Sequence, residues 1–434
     1  MDPLSKSFNP NRQLKEEFVS NLTGSSMLEI ASLSAIVPGL LLLRHWNIFN
    51  VANAKKNDYV NAGCKDWRKF TVTLAVDFVS VVLPILLIFT VLAEWAHECA
   101  ICLMLLLLLI ISARRSLSSN FHWKEGVQPV SSLRTNISSY RVSVMIITCL
   151  CILAVDFKIY PRRYAKTETY GTGLMDLGVG SFVLANALVS RQARGITSKN
   201  WKAAIQSISP LILLGLGRLV FTAGVDYQVH VGEYGVHWNF FFTLAAVSFL
   251  TSIVNIHPNY CSILGSSILI VYQICLVCGL NEYLLSNERA MDLISQNKEG
   301  LFSVFGYWSM YLVGVQLGNY LFFGNGSVNE IRNVKWTRIR VCFLCALFWL
   351  LTVILDKHVE RVSRRMCNLA YVTFVFAQNF QVLAILMLSD LIPTSNISIL
   401  EESFNRNLLG SFLLANVLTG VINLHQVKSM VKWI

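Results

Sequence analysis

Twelve times along the chain a mostly apolar run recurs that is long enough, or nearly so, to cross a bilayer, which takes about 20 helical residues. The runs lie at 27–43, 70–93, 98–112, 142–157, 173–189, 207–224, 238–256, 261–280, 301–323, 339–355, 367–389 and 407–424. At lipid depth no water is present to satisfy a peptide group, so each N–H and C=O must bond within its own segment. Runs of this length therefore predict helices, and the fold class expected is all-α: a polytopic integral membrane bundle of about 12 transmembrane helices. The runs at 98–112 and 142–157 are short for a span. Composition agrees, with 54% hydrophobic and 14% charged residues, against about 25% charged in soluble domains. A water-soluble globular enzyme, a disordered chain and a fibrous chain are excluded.

Three segments are expected: a polar N-terminal tail at 1–26, a single multi-helix domain at 27–424, and a short C-terminal tail at 425–434. Met1 to Glu17 lacks the apolar core and small-residue cleavage site of a signal peptide, so the first membrane helix is expected to serve as the targeting signal. No repeat relates the two halves, which weighs against an inverted-repeat transporter. The net charge of +11 is read as basic loops that orient helices and meet anionic head groups. Nucleic acid is not an expected partner. Ten of the eleven cysteines sit in or beside apolar runs, Cys64 being the clear loop cysteine. Cys275/Cys278 and Cys342/Cys345 have C-x-x-C spacing inside apolar runs, where Cys behaves as a small hydrophobe. No metal site and no disulfide framework is expected.

Twelve spans place both termini on one side. The loops at 44–69, 113–141, 190–205, 324–338 and 390–407 carry 19 Lys and Arg, against 15 on the opposite side with both tails. The positive-inside rule then favours a luminal N-terminus. Of the luminal charges, eight fall in Lys158–Lys166 and Lys357–Arg365. Sequons stand at Asn21, Asn136, Asn325 and Asn396, and only Asn21 falls on the expected luminal side.

Charges at membrane depth are expensive, and they default to function. The densest set runs from Asp156 through Lys158, Pro161, Arg162, Arg163, Tyr164 and Lys166 to Gly171. Asp156 closes one apolar run and Asp176 lies inside the next. Two readings stand: a solvated basic anchor, or a site for an anionic lipid head group with acid/base machinery. Arg supplies a planar fork for phosphate, and a buried Lys or Asp can shift its pKa toward neutrality. Gly173, Asp176, Leu177 and Gly180 would share one helix face, with Asp176 a packing partner or a site member. A second set, Tyr227 to Phe242, holds Glu233, Tyr234, His237, Trp238 and Asn239. If helical, Glu233 and His237 stand at i,i+4 and can hydrogen-bond; a Glu-oriented His is a candidate base for an alcohol, and an interfacial aromatic belt is the alternative. Asn297-Lys298-Glu299-Gly300 and Ser363-Arg364-Arg365 with Asn368-Leu369 complete four polar sets expected on one face.

These strings carry a resemblance. Lys15–Gly24, Leu153–Asp156, Pro161-Arg-Arg-Tyr-Ala-Lys166, Gly173–Phe182, Glu233-Tyr-Gly-Val-His-Trp-Asn-Phe-Phe241, Ser363-Arg-Arg365 with Asn368-Leu369, and Leu414–Leu424 resemble the glycosylphosphatidylinositol (GPI) biosynthesis family of inositol acyltransferases, called PIG-W in animals and the GPI-anchored wall transfer protein in fungi. They come in family order over nearly the whole chain. The resemblance implies a multi-pass enzyme of the endoplasmic reticulum membrane with its motif face luminal. It implies transfer of a fatty acyl group, usually palmitoyl, from acyl-CoA to the inositol ring of glucosaminyl-phosphatidylinositol. It also implies that Asp156 and Lys166 are essential. Lys158, Val229 and Lys298 depart from the family residues, which are Pro, an acid and Arg. The family usually continues into a thirteenth helix, whereas this sequence stops at Ile434.

On this reading the catalytic candidates are Asp156, Lys166 and His237, with either Asp156 or His237 as the base. Lys166 would stabilise the oxyanion or pair with Asp156. Substrate-binding candidates are Arg162, Arg163, Asp176, Glu233, Tyr234, Trp238, Asn239, Asn297, Glu299, Arg364, Arg365 and Asn368. No permanently bound cofactor and no obligate protein partner is expected; acyl-CoA (palmitoyl-CoA) is the co-substrate, and the basic loops at 44–69, 113–141 and 190–205 would attract it. A multi-pass lipid or solute transporter is the alternative class.

Overall fold

The computed structural model describes residues 22–46, 65–118, 129–196, 201–223, 231–286, 288–324, 334–391 and 398–430. Among them the structure is helical, and the only β-type pairing is an isolated bridge of Gly24 and Ser25 with Thr172. Twelve long helices follow in order: α1 Met27–His45, α2 Phe70–Phe89, α3 Ala96–Ser118, α4 Pro129–Ala154, α5 Leu177–Leu188, α6 Trp201–Ala223, α7 Phe240–Val254, α8 Pro258–Cys275, α9 Lys298–Gly318, α10 Val334–His358, α11 Leu369–Leu386 and α12 Leu408–Met430. Nine spans among the described residues are long and apolar enough to cross a membrane, and α5, α7 and α12 add three shorter apolar helices. Each of the twelve expected runs thus falls on a helix, and the chain is a polytopic membrane protein.

Three boundaries differ from expectation. The run at 98–112 is the apolar middle of α3, and that at 142–157 is the apolar C-terminal half of α4, which starts at Pro129 and ends at Ala154; the more polar last turns of α3 and first turns of α4 carry no hydropathy signal. The helix expected from 173 begins at Leu177, with Asp176 as its N-cap position. Gly173 is therefore not on its face.

α1 and α11 form the centre of the bundle, and almost every residue of both is buried. α11 packs against α10, where Phe348 lies 4.8 Å from Phe376 and 5.7 Å from Phe380, ring centre to ring centre. In lipid, such contacts hold helices by close packing rather than by escape from water. Small residues serve the same end. A β-carbon on Gly306 of α9 would meet the Cys367 carbonyl at 2.1 Å. Polar side chains tie the centre together: Ser34 donates to Gln378 (2.6 Å), Tyr140 to Asn379 (2.8 Å), and Asn379 to Ser181 (2.9 Å). The outer faces carry exposed Phe343, Leu213, Phe221 and Leu109, as lipid contact requires.

The bundle has two polar ends. At one, Arg44 pairs with Asp77 (2.6 Å) and His45 with Glu401 (2.5 Å), joining α1, α2 and the short helix Ile399–Arg406. At the other, near the start of α1, the connections 155–176, 231–239, 281–286 with 288–297, and 359–368 come together. There Ser25 N–H donates to the Thr172 carbonyl, Gly171 N–H to that of Val362, and the Ser363 hydroxyl to that of Thr169.

Candidate active site

α4 ends at Ala154, and Asp156 follows in the turn, half-buried. Pro161 then opens a single 3-10 turn, Arg162–Tyr164, as expected where proline prevents a helix from continuing. Arg162 folds back so that its Nη2 donates to the Val155 carbonyl at 2.5 Å, the usual service of a cation to a helix C-terminus. Its guanidinium is electrostatically coupled to Asp156. Arg163 points elsewhere: it pairs with Glu29 of α1 at 2.9 Å and Glu94 at 2.7 Å. Tyr164 donates to the same Glu29 at 2.7 Å. This turn is riveted to α1 and to the α2–α3 connection.

Lys166 comes next, its side chain 39% exposed, with Nζ 2.8 Å from Glu233 Oε1. Glu233 sits on a short turn of helix, Val231–Tyr234. That turn ends at Gly235, whose φ of +109° lies in the left-handed region, which L side chains disfavour. The expected i,i+4 bond from Glu233 to His237 is therefore not formed. The Glu233 carboxylate goes to Lys166 and, at 3.3 Å, to Arg364. His237 turns outward, exposed, and its backbone N–H donates to Asn297 Oδ1 at 2.8 Å.

Arg364, 3% exposed, stands between two carboxylates. Its Nη1 faces Glu233, and its Nε donates to Asp176 at 2.9 Å. Asp176 is fully enclosed and also accepts from Gly173 N–H (2.8 Å), Thr167 Oγ1 (2.9 Å) and Thr167 N–H. Burial pushes the Asp176 carboxyl up, although Arg364 and these donors pull the other way. Burial also opposes the charge on Glu233, but Lys166 and Arg364 more than offset it and hold that carboxyl at about 2. Burial likewise disfavours the Arg364 charge, yet Glu233 and Asp176 outweigh it and raise the guanidinium further. Four charges, two of each sign, thus form one cluster: Lys166, Glu233, Arg364 and Asp176.

Other candidates hold the frame. Asn297 accepts from the N–H groups of both His237 and Trp238 and donates to the Leu293 carbonyl. Trp238 donates to Thr243 at 2.9 Å, and its ring covers Gly300, where a β-carbon would lie 2.3 Å away. Asn239 caps α7 and donates to the Gly215 carbonyl. Tyr234 is buried under the Arg364 guanidinium, 5.9 Å from ring centre. Glu299 pairs with Arg289 (2.6 Å) and Arg365 (2.9 Å). Asn368 caps α11 and donates to Glu360 at 3.2 Å and to the Arg361 carbonyl at 2.8 Å.

The four expected polar sets do meet at one end of the bundle. Glu29, Glu94, Arg289 and Glu360 were not singled out from sequence. Glu360 accepts from Tyr170, Gln273 and Asn368. Each is a charge in or beside a connection between apolar runs, and such charges look alike in sequence whether they face water or a partner. Arg163 and Arg364, expected with Arg162 to hold lipid phosphate, each have a carboxylate partner within the protein, as does the substrate-binding candidate Arg365. Among the described residues no group of three or more His, Cys, Asp or Glu could hold a metal ion. Of the basic loops expected to attract acyl-CoA, 44–69 lies largely outside the described residues and 113–141 and 190–205 only in part; Cys64 and the sequon asparagines 21, 325 and 396 lie outside them.

The family model described as GWT1 matches residues 11–430. An uncharacterized protein of Arabidopsis thaliana is 54% identical over 378 residues, covering 86% of this chain and 84% of the relative. A phosphatidylinositol-glycan biosynthesis class W protein of Dictyostelium discoideum is 38% identical, covering 69% of this chain and 70% of the relative. A glucosaminyl-phosphatidylinositol-acyltransferase PIGW of Bos taurus is 32% identical, covering 95% of this chain and 92% of the relative.

Proposed function

The chain belongs to the GWT1 family, and from that premise we propose that it is an acyltransferase of GPI-anchor biosynthesis, acting on the inositol ring of glucosaminyl-phosphatidylinositol. The observation that carries this reading is a relative bearing that activity in its name and matching over nearly the whole length of both chains. The assembly of the four polar sets at one end of the bundle supports it, because a glycolipid head group meets a membrane enzyme at such an end. The acyl donor is acyl-CoA, with palmitoyl the expected chain. The protein works in the endoplasmic reticulum membrane with this end toward the lumen, a reading supported by the balance of Lys and Arg between alternate loops.

Acyl transfer to an alcohol needs a base for the hydroxyl and a donor for the oxyanion. Asp156, at the rim of the bundle and half-buried, takes the proton as the inositol oxygen attacks the thioester carbon. Lys166, whose ammonium remains partly exposed, stabilises the oxyanion that forms. The carbon–sulfur bond then breaks and the CoA thiolate leaves. His237, also exposed at this end, is placed to orient substrate. Arg162, at the end of α4 beside Asp156, is assigned to the lipid phosphate.

The test uses the full-length protein in lipid, with labelled palmitoyl-CoA and glucosaminyl-phosphatidylinositol. Acylated lipid is expected from the wild type and none from Asp156→Ala at equal protein. Absence of product from the wild type would overturn the activity, and product from the variant would remove Asp156 as the base.

A further inference from the structure

Resting on the role of Lys166 just described, we propose that Glu233 is the positioning residue for that lysine, and that Arg364 locks Glu233 to Asp176 so that Lys166 is held at both of its ends. A lysine side chain has four rotatable carbons and a freely turning ammonium, and freezing it costs up to about 2 kcal/mol of rotamer entropy. A half-exposed lysine therefore wanders unless something outside it sets its place.

The backbone end of Lys166 is fixed by Asp176. Thr167, the next residue, gives both its N–H and its hydroxyl to that carboxylate. On the other side, the Ala165 carbonyl approaches Gly173 so closely that a β-carbon there would lie 2.2 Å away. Ala165 and Thr167 are both buried. The ammonium end is fixed by Glu233 Oε1 at 2.8 Å. Arg364 then ties the two carboxylates together, with Nε on Asp176 and Nη1 on Glu233. Its guanidinium is planar and rigid, and at 3% exposure it has no freedom to swing, so neither carboxylate moves without the other. The charges facing Lys166 and its partner are Glu233 itself, Arg364 from the 359–368 connection and Arg218 from α6; Asp176 bonds the backbone beside it.

A purely structural role would look different. The Lys166–Glu233 pair, with a lysine this exposed, itself adds little to stability, typically ~0–1 kcal/mol, and what Glu233 gives to stability comes through the buried Arg364. The effect of the pair belongs in turnover, where a misplacement of about 1 Å can cost on the order of 100-fold.

The experiment measures kcat and KM for glucosaminyl-phosphatidylinositol on the full-length protein in lipid, comparing wild type, Glu233→Gln, Glu233→Asp and Lys166→Met. Glu233→Gln keeps the shape and removes the charge. It is expected to lower kcat by about 100-fold with KM unchanged. Glu233→Asp keeps the charge but withdraws the carboxylate by one methylene, and is expected to lose about 10-fold. Wild-type kcat in both variants, with Lys166→Met inactive, overturns the positioning role and leaves the role of Lys166 standing. A raised KM at constant kcat assigns Glu233 to substrate binding and also overturns it. Wild-type turnover by Lys166→Met removes the role of Lys166 and this inference with it. If Glu233→Gln fails to elute as the wild type does, Glu233→Asp decides: a lower kcat at constant KM supports the proposal, and an unchanged kcat overturns it.

Discussion

The Lys166 ammonium lies 2.8 Å from a carboxylate of Glu233, a residue 67 positions further along the chain. Between them run two membrane helices, α5 and α6, so the pair exists only because the connections on either side of those helices meet at the same end of the bundle. The same is true of Arg364 and Asp176, 188 positions apart.

Glu233, paired with Lys166 and Arg364, has a pH signature. The Glu233 carboxyl is held at about 2, below its ordinary 4.5. A group with a lowered folded-state value contributes stability that is complete above the ordinary value and is lost as pH falls through the folded one. The difference in thermal midpoint between wild type and Glu233→Gln should be constant from neutrality down to about pH 4.5, then shrink and approach zero near pH 2. Thermal melts across that range check it, and a difference that persists at pH 2 would contradict the pairing.

Asn368 ties the start of α11 to the 359–368 connection. Its Oδ1 accepts from the Tyr371 and Ser363 N–H groups, and its Nδ2 donates to Glu360 and the Arg361 carbonyl. Asn368→Ala removes a helix cap and leaves buried groups without partners, at an expected cost of ~2–4 kcal/mol. The melt should fall well below that of an Ala substitution at the exposed Lys357, where no such loss is expected.

Gly306→Ala should destabilise the bundle by ~1–3 kcal/mol through overpacking. The new β-carbon would meet the Cys367 carbonyl at 2.1 Å and its Sγ at 2.8 Å. Because Cys367 stands three residues from Arg364, the variant is also expected to lose activity. A melt and an activity like those of the wild type would show that α9 and the 359–368 connection part more easily than their packing implies.

Asn136 lies in a sequon, yet its side chain is 3% exposed on α4 and bonds both Asp390 and Ser389. No glycan is expected there. Asn136→Gln should leave the mobility of the protein and its response to an endoglycosidase unchanged, while lowering its thermal midpoint. A mobility shift lost in that variant would refute the placement.

How much of this was legible in sequence differs by element. The twelve helices were, because lipid makes a long apolar run and a helix nearly synonymous. The hydropathy pattern also marked which connections carry charge, and the strings around Asp156, Lys166, Glu233 and Arg364 marked the end where the four polar sets meet. Local sequence misled at 233–237, where i,i+4 spacing suggested a Glu–His pair. The left-handed Gly235 ends the helical turn there, and Asn297, from the other side of two helices, takes the backbone of His237 and Trp238. It was silent about Arg44 with Asp77 and His45 with Glu401, the charge pairs that close the opposite end.

Sequence by itself determined the solvent of this protein, its helices and the family it resembles. Each of those rests on a property of one contiguous segment. Only the tertiary structure decided which charge neutralises which. An ion pair needs a separation of a few ångströms, and between segments this far apart that separation is set by how the helices pack, not by the residues that lie between.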